Sequence, residues 1–490
     1  MKRILSAILF IAAALGASAA NAEVKLWPVP KDEAPSTIWT VSVNGEAAQT
    51  VGARTADPPF DSYDYGGNYA FLSVDADEPV TLRVAKRMGE KPESLQIRPA
   101  SLGLVPTRNE DGSFSVTVDK PCRFSVEYNG REHPLLVFVN PIEKDVPNPD
   151  DPNVVYYGPG VHHPANDRIE LTDNQTLYLA PGAIVQCGVY VHGKNVSIRG
   201  RGVIDSTPWN WTRGPTGHVV SLRDSQNVSI EGIVIRGASR WTLVPVNCDD
   251  VTIDNIKICG GRVQNDDGIN PCNSRHVTVR NSFIRTDDDC MALKGLDVNY
   301  GNCEDITVEN CVFWCDRARI VLMGHESRAP YMRRVVFRDV DVIHSQTRNF
   351  LLEPGEKMKM EDVTLENIRF EMGEENALPA EALEKMKTLD TSRLRFDIDV
   401  ANKDNWLFVG RPTVNQYMHT QEPGYISNVT IRGITVTGPT SYCGILFSGA
   451  DKNHRTDGLT IEDVVVFGEK LDANSPLIHV GDFIDNVKLP

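Results

Sequence analysis

The chain has 490 residues and a formal net charge of −16. Its length allows one large domain or two ordinary domains. The acidic charge argues against nucleic acid and anionic membranes as partners, and it disfavours a strongly polyanionic substrate.

Residues 1–22 have the pattern of a secretory signal peptide. A positively charged start and a short apolar run, Ile4 to Gly16, precede a small-x-small cleavage site that ends at Ala22. We therefore expect cleavage after Ala22 and a mature protein that is secreted or periplasmic. No later segment reaches the length of a membrane-spanning helix, so no membrane insertion is expected.

Residues 23–147 predict a small β-sandwich domain. Short strand-like segments such as residues 39–43 and 115–118 alternate with turns of Pro, Gly and Asp, and they show no repeat period. Residues 146–153, rich in Pro and Asp, then predict an extended linker. The second predicted domain spans residues 148–490.

This second region repeats one short pattern of alternating apolar residues, as in Asn227-Val-Ser-Ile-Glu-Gly-Ile-Val-Ile. Alternation with period 2 gives each strand one inner face, and only stacked copies can bury that face. Most copies are 23 to 32 residues apart. The pattern predicts an all-β fold, a right-handed, single-stranded parallel β-helix of the pectin-lyase type. The aligned apolar positions are Val196, Val228, Val251, Val277, Ile306, Val335, Val363, Val429 and Leu459.

Two other β architectures fit the repeat less well. A β-sandwich would need the regular spacing to be a coincidence, and propeller blades need about 40 residues or more. The step from Val363 to Val429 is 66 residues, which indicates further coils and an insertion. Residues 374–387 have a helical pattern within this step, and we expect them to form a lid or rim of a groove.

The ten cysteines suggest buried thiols rather than a disulfide framework. Disulfides are the first expectation for an exported chain. However, seven cysteines lie between Cys248 and Cys315, and Cys311 occupies an apolar position of the repeat. Cys311 and Cys315 lack the second pair that a zinc site needs. No metal and no cofactor are expected.

Two acidic clusters follow short strands in neighbouring copies, at Asn265-Asp266-Asp267 and Asp287-Asp288-Asp289. Neighbouring coils lie roughly 4.8 Å apart. A sideways offset would bring two carboxyls to the roughly 6.5–9.5 Å that leaves room for a water in an inverting glycosidase. A solvated Asp ladder and a calcium site are the alternatives to an acid/base pair.

The acidic motifs resemble those of glycoside hydrolase family 28, the polygalacturonase family, over about residues 155–470. The chain has Asn265-Asp266-Asp267 where the family has Asn-Thr-Asp, and Asp288-Asp289-Cys290 where it has Asp-Asp-Cys. The resemblance implies that Asp288 is the general acid and that Asp267 and Asp289 activate water. The chain also shows a weaker resemblance to dextranase family 49 and to α-galactosidase family 110, whose substrates are neutral.

The family pattern is lost at its basic triplet. Residues 350–352, Phe-Leu-Leu, stand where the family has Arg-Ile-Lys, the residues that hold a substrate carboxylate. We therefore expect a neutral sugar at the cleavage subsite, or a relocated cation such as Arg319. The candidate substrate-binding residues are Asn265, Lys294, Arg319, His325, Glu326 and Arg348.

The resulting hypothesis is a secreted, polygalacturonase-like glycoside hydrolase that cleaves α-linked glycans with inversion. A neutral-sugar hydrolase such as a dextranase or α-galactosidase is the alternative substrate class. A polysaccharide lyase and a non-catalytic, carbohydrate-binding solenoid are the alternatives in mechanism and in class. We expect a monomer whose partner is a carbohydrate substrate.

Overall fold

The computed structural model describes residues 23–87, 94–128, 130–346, 349–387 and 406–490. The predicted signal peptide, residues 1–22, and the candidate residue Arg348 lie outside these ranges. Within them, no helix is both long enough and apolar enough to cross a membrane. Almost all regular structure is β, as the sequence predicts.

The N-terminal region is a sandwich of two sheets that share one apolar core. Its strands are β1 (Val24–Leu26), β2 (Trp39–Val43), β3 (Glu46–Ala48), β4 (Val51–Ala53), β5 (Tyr69–Ala76), β6 (Val80–Lys86), β7 (Gln96–Arg98), β8 (Thr107–Arg108), β9 (Phe114–Val118), β10 (Cys122–Glu127) and β11 (Leu135–Asn140). One sheet has the order β1-β5-β11-β10-β7, with β4 beside β5, and the other has the order β3-β2-β6-β9-β8. In β2 alternate residues are buried, because successive side chains of a strand point to opposite faces.

The rest of the chain is a parallel β-helix. Its strands are β12 (Val154–Tyr157), β13 (Gly160–His162), β14 (Arg168–Leu171), β15 (Thr176–Leu179), β16 (Ala183–Gln186), β17 (Gly188–Val191), β18 (Lys194–Gly200), β19 (Val203–Asp205), β20 (Val220–Arg223), β21 (Gln226–Glu231), β22 (Val234–Arg236), β23 (Leu243–Val246), β24 (Asp249–Asp254), β25 (Lys257–Cys259), β26 (Arg275–Arg280), β27 (Phe283–Thr286), β28 (Met291–Leu296), β29 (Cys303–Glu309), β30 (Val312–Cys315), β31 (Val321–Arg328), β32 (Tyr331–His344), β33 (Phe350–Leu352), β34 (Lys359–Glu371), β35 (Phe408–Gly410), β36 (Tyr425–Thr437), β37 (Ile445–Phe447), β38 (Thr456–Val466), β39 (Glu469–Lys470), β40 (Ile478–Val480) and β41 (Ile484–Lys488). Short 3-10 helices lie at Ala100–Leu102, Ala165–Asp167, Val298–Tyr300 and Glu374–Asn376, and α1 spans Ala380–Lys387.

Each coil contributes strands to three faces. The first face contains β12, β15, β18, β21, β24, β26 and β29, and the second contains β13, β16, β19, β22, β25, β27 and β30. From β32 onward one long strand serves both faces, since β32 pairs with β29 and with β30. The third face runs through β14, β17, β20 and β23, and then through β28, β31, β33, β35, β37 and β40.

The first residue of each repeat copy adopts the left-handed backbone conformation. Its φ lies between 50° and 87° at Asn195, Asn227, Asp250, His276, Asp305, Arg334, Asp362, Asn428 and Gly458. Asn, Asp and Gly tolerate this conformation best, which explains why they recur at this position. Stacked asparagines also bond to one another: Asn227 Nδ2 donates to Asn195 Oδ1 at 2.8 Å.

One continuous apolar core fills the β-helix. The aligned positions of the repeat all lie in this core, including Val196 and Leu459 at its two ends. All ten cysteines are free and buried, so the prediction of buried thiols is confirmed.

The sandwich packs against the second face of the β-helix. A separate apolar cluster joins sandwich residues such as Phe71 and Phe138 to second-face residues such as Phe283 and Trp314. Charged pairs surround this cluster, for example Arg201 with Asp75 at 2.9 Å. The sandwich is therefore fixed along several coils of the β-helix.

The third face is interrupted between β23 and β28. There Ile269 forms single bridges to Leu243 and to Met291, without a regular strand of its own. Farther along, an apolar cluster that includes Leu351 and Trp406 covers the face, and Leu383 of α1 packs against it. The helical segment predicted as a lid or rim thus covers later coils. The candidate functional site lies beside the interruption between β23 and β28.

Candidate active site

The candidate site lies where the second face passes into the third face in three successive coils. The three turns are residues 260–268, 287–290 and 316–320. They stack in register, because Gly268 N donates to Asp289 O at 2.9 Å and Cys290 N donates to Arg319 O at 3.0 Å. This stacking brings the two acidic clusters together, as the coil spacing predicts.

Asp266 organises the first two turns. Its Oδ1 accepts hydrogen bonds from the backbone N–H of Asp287 at 2.6 Å and of Asp288 at 3.2 Å. Its Oδ2 accepts from Gly261 N at 2.7 Å and Arg262 N at 3.3 Å. Asp266 is fully buried, so its role is to shape the turns rather than to meet a ligand.

Asp267 is held beside Lys294. Asn270 Nδ2 donates to Asp267 Oδ2 at 2.8 Å, and Lys294 Nζ lies 3.9 Å from the same oxygen. Burial, and then the charge of Asp288, raise the pKa of Asp267 well above its usual range, although Lys294 opposes the shift.

Asp287 forms the centre of a buried ion pair. Arg317 Nε lies 3.1 and 3.0 Å from the two Asp287 oxygens, and Arg317 Nη2 lies 2.7 Å from Oδ2. Tyr65 from the sandwich donates its hydroxyl hydrogen to Asp287 Oδ1. Burial raises the pKa of Asp287 to about 6, against the opposing effect of Arg317.

Asp288 is the most accessible of the three predicted catalytic carboxyls. Its side chain is 14% exposed, whereas those of Asp267 and Asp289 are each 3% exposed. Arg317 Nη2 donates to Asp288 Oδ2 at 3.0 Å, and Asn265 Nδ2 donates to the same oxygen at 3.4 Å. Burial alone would raise the pKa of Asp288, but Arg317, with Arg319 and Lys294, lowers it below the usual value.

Asp289 is paired with Arg319. The backbone N–H of Arg319 donates to Asp289 Oδ1 at 3.1 Å, and its guanidinium Nη1 lies 3.6 Å from that oxygen. Burial raises the pKa of Asp289 to about 6, with Arg319 opposing and Asp288 adding to the shift. Neighbouring carboxyls that affect one another in this way titrate as a group.

Lys294 connects the carboxyls to an aromatic surface. Its Nζ donates to Glu326 Oε2 at 2.9 Å and lies 4.5 Å from the centre of the Trp241 ring. Trp241 in turn stacks on His218, with ring centres 5.2 Å apart and an angle of 11°. His218 lines a cavity of about 240 Å³, and burial lowers the pKa of its imidazole to about 3.

His325 follows Lys294 in the chain, and two neighbouring residues hold its side chain and its backbone. Its Nδ1 bonds to Glu353 Oε1, and Asn415 Nδ2 donates to its carbonyl oxygen at 2.9 Å. The ring of Tyr417, which is 43% exposed, lies 4.7 Å from the His325 ring. His325 is therefore buried and fixed beside an exposed aromatic ring.

Direct contacts link most of the predicted site residues. They join Asp288 to Asn265, Asp267 to Lys294, Lys294 to Glu326, and Asp289 to Arg319. His325 follows Gly324 on β31, next to Glu326. Residues 350–352 are buried in β33 and offer nothing to a substrate.

Sequence reasoning missed four residues of this site: Tyr65, Asp287, Arg317 and Glu353. Coil arithmetic could have found Arg317, which stands one coil after the Asp287–Asp288 pair in the same turn as Arg319. Nothing in the repeat could have found Tyr65, because it is 222 residues from its partner Asp287 and lies in the other domain.

Comparison with known proteins adds evidence of relationship. The family model described as glycosyl hydrolases family 28 matches residues 187–314. A probable exopolygalacturonase B from Aspergillus terreus is 25% identical over 206 residues, which cover 36% of this chain and 46% of that protein. An exopolygalacturonase from Cochliobolus carbonum is 23% identical over 207 residues, which cover 40% of this chain and 42% of that protein. The chain thus spans less than half the length of these curated relatives.

The solved structure of Dex49A from Penicillium minioluteum shares the whole architecture. Its TM-score is 0.62 at 16% identity, and the match covers 94% of this chain and 96% of that chain. This likeness establishes the fold. Over residues 187–314 the chain is similar to the glycosyl hydrolases of family 28.

Proposed function

We propose that this protein is a glycoside hydrolase that cleaves α-linked glycans with inversion, using Asp267, Asp288 and Asp289. The arrangement of these carboxyls supports this proposal most strongly. Asp288 reaches solvent, while its two buried neighbours have raised pKa values. Carboxyls whose environments separate their proton affinities are what acid/base cleavage of a glycosidic bond requires.

In this proposal Asp288 protonates the leaving oxygen, while Asp267 and Asp289 activate a water. The exposure of Asp288 supports its role, because a general acid must come within hydrogen-bond reach of the glycosidic oxygen. In the empty site Arg317 favours the ionised form of Asp288, whereas burial favours protons on Asp267 and Asp289. In the proposed catalytic state Asp288 carries the proton and Asp267 and Asp289 are ionised.

A neutral sugar fits the charge of this site best. Each cation already has an acidic partner: Lys294 pairs with Glu326, Arg317 with Asp287 and Asp288, and Arg319 with Asp289. Among the described residues of this cluster no cation is left unpaired, so a uronate at the cleavage subsite would meet an excess of negative charge, and an unpaired buried carboxylate is costly. The described carboxyls around these cations are Asp267, Asp287, Asp288, Asp289, Glu326 and Glu353.

Export and a monomeric state are parts of the same proposal. The signal-peptide pattern of residues 1–22 supports export, which N-terminal sequencing of the mature protein would test. Carboxyls with strongly shifted pKa values cluster at catalytic sites. The three interacting carboxyls therefore favour an enzyme over a non-catalytic, carbohydrate-binding solenoid.

Digestion of a glycan panel tests the proposed activity. Pectins, dextrans and galactosides are incubated with wild type and with Asp288→Asn, and reducing ends are measured. We expect wild type to release reducing ends from at least one glycan, and Asp288→Asn to lose roughly 10²–10⁴-fold of that rate with its fold intact. Binding of a glycan without release of reducing ends would instead support the solenoid. Absorbance from an unsaturated product would identify a lyase.

A further inference from the structure

We propose that the N-terminal β-sandwich completes the catalytic site, with Tyr65 as a positioning residue that holds Arg317 on Asp287 and so limits its contact with Asp288. This inference rests on the proposed function, since it concerns the same carboxyls. It gives the sandwich a direct part in catalysis, beyond covering the second face of the β-helix.

The loop between β4 and β5, residues 54–68, binds the turn of residues 260–268 through backbone hydrogen bonds. Ala56 N donates to Gly261 O at 3.0 Å, and Asp57 N donates to Arg262 O at 2.7 Å. The N–H groups of the same Gly261 and Arg262 donate to Asp266. The sandwich and Asp266 thus hold this stretch of the turn from both sides of its backbone.

Side chains strengthen this attachment. Arg262 is 2% exposed and donates to Asp57 Oδ2 at 3.0 Å. Arg285 is fully buried and donates to the carbonyl oxygen of Tyr65 at 2.9 Å, while its Nε donates to Asp316 at 2.9 Å. Tyr65 is therefore fixed in the loop by a buried guanidinium that belongs to the β-helix.

From Tyr65 a chain of bonds leads to the accessible carboxyl. Tyr65 donates to Asp287, Asp287 binds Arg317 through both oxygens, and Arg317 Nη2 reaches Asp288 at 3.0 Å. Arg317 is thus shared between two carboxyls. The share that Asp287 holds determines how strongly Arg317 favours the ionised form of Asp288.

The hydroxyl of Tyr65 matters because it keeps Asp287 ionised. Its hydrogen bond lowers the pKa of Asp287, which burial otherwise raises. Without this donor Asp287 would take up a proton at higher pH and release Arg317 to Asp288. Asp288 would then bind its proton less readily, and general acid catalysis would weaken.

The test compares Tyr65→Phe with wild type. We expect kcat to fall roughly 10-fold, as for loss of one buried hydrogen-bond partner, while KM changes less than about twofold. The acidic limb of the pH profile of kcat/KM should move to higher pH, because Asp287 loses a donor. An unchanged kcat and pH profile would overturn the proposal.

Tyr178→Phe is the matched control. Tyr178 is also buried, and its hydroxyl also donates to a carboxylate, Glu143 Oε2 at 2.9 Å, but it lies in β15, several coils before the acidic turns. We expect a loss of thermal stability in this variant without a change in kcat or in the pH profile. An equal loss of kcat in both variants would show that Tyr65 acts only through stability.

A crystal structure of Tyr65→Phe decides the question independently of activity. We expect Arg317 to leave its two-oxygen contact with Asp287 and to close on Asp288. An unmoved Arg317 would contradict the relay. If wild type cleaves no glycan, the proposed hydrolase function fails, and this structural comparison still determines whether Tyr65 positions Arg317.

Discussion

At the scale of single residues, the environment of each carboxyl differs although all three stand within two turns. Asp267 faces Lys294, Asp288 faces Arg317, and Asp289 faces Arg319. The family resemblance assigns the role of general acid to Asp288. In the empty site, however, Asp289 has a pKa raised to about 6 and binds a proton more readily than Asp288 does. Exposure favours Asp288 as the acid, and the two assignments predict different kinetics.

Substrates with different leaving groups separate these roles. Asp288→Asn should lose roughly 10²–10⁴-fold on a natural glycan but little on a nitrophenyl glycoside of the same sugar, because a good leaving group needs no proton. Asp289→Asn should lose similar factors on both substrates, since water activation is needed in each case. The reverse pattern would transfer the acid role to Asp289.

The sequence identified these carboxyls because their spacing follows the repeat, and it identified Lys294, Arg319 and Glu326 by resemblance. It could not predict Asp287 as a functional residue, since a run of three Asp at a turn gives no sign of which one is buried against an arginine. The contact with Tyr65 depends on how the two domains pack, which no local pattern reveals.

At the scale of elements, the left-handed turn residues decide how well each coil closes. Asn227 has a φ of 54° and bonds to Asn195 in the coil below. Asn227→Ala should lower the free energy of unfolding by about 1–2 kcal/mol, because alanine tolerates this φ poorly and lacks the amide. Chemical denaturation measures the loss.

Asn227→Gly is the matched control for this turn. Glycine adopts a positive φ readily, so this variant should lose only the ladder hydrogen bond and be less destabilised than Asn227→Ala. Equal destabilisation of both variants would show that the backbone conformation contributes nothing.

The contact between sandwich and β-helix contains a buried histidine at the end of β32. His344 Nε2 lies 3.0 Å from Glu127 of β10, and Nδ1 lies 2.7 Å from Glu375. Trp314 packs against the ring at 4.1 Å, and Arg98 lies 3.4 Å from Glu127. Burial alone would lower the pKa of His344, but Glu127 and Glu375 outweigh it and raise the pKa to about 9.

This shift predicts a stability that falls at alkaline pH. The folded pKa of His344 lies above the ordinary value of 6.5, so its contribution is complete below pH 6.5 and is lost as the pH rises through about 9. The loss should be about 3 kcal/mol. Denaturation curves of wild type should show it between pH 6 and pH 10.

His344→Gln should remove most of this pH dependence, whereas the same change at the exposed His419 should preserve it. A wild-type stability that is constant from pH 6 to pH 10 would contradict the protonated histidine. The periodicity that predicts β32 gives no hint of this ion pair, because Glu127 belongs to the sandwich.

At the scale of the whole molecule, the repeat predicts the β-helix correctly because stacking is a local rule applied many times. The aligned positions Val196 to Leu459 all enter the core. Strands β5 and β11 are buried on both faces, and the apolar run of residues 135–139 is a sequence sign of a second contact. It does not show which coils of the β-helix make that contact. Residues 54–68 of the sandwich contact the candidate site through that packing.

The charge of the whole protein and of its site leads to a prediction about substrate. The chain carries a net charge of −16, and each cation at the acidic turns already has an acidic partner. We expect unesterified polygalacturonate to be cleaved much more slowly than a neutral α-glycan. Efficient cleavage of polygalacturonate that is lost in Arg319→Ala would contradict the neutral sugar and support a relocated cation.

The central claim is that the protein hydrolyses an α-linked glycan with inversion, using Asp267, Asp288 and Asp289. Time-resolved proton NMR of the first product tests this claim most directly. With wild type, the anomeric signal of the β product should appear first and the α signal should follow by mutarotation. Asp288→Asn should show neither signal on the same time scale. An α product that appears first, or equal turnover in the variant, would contradict the account.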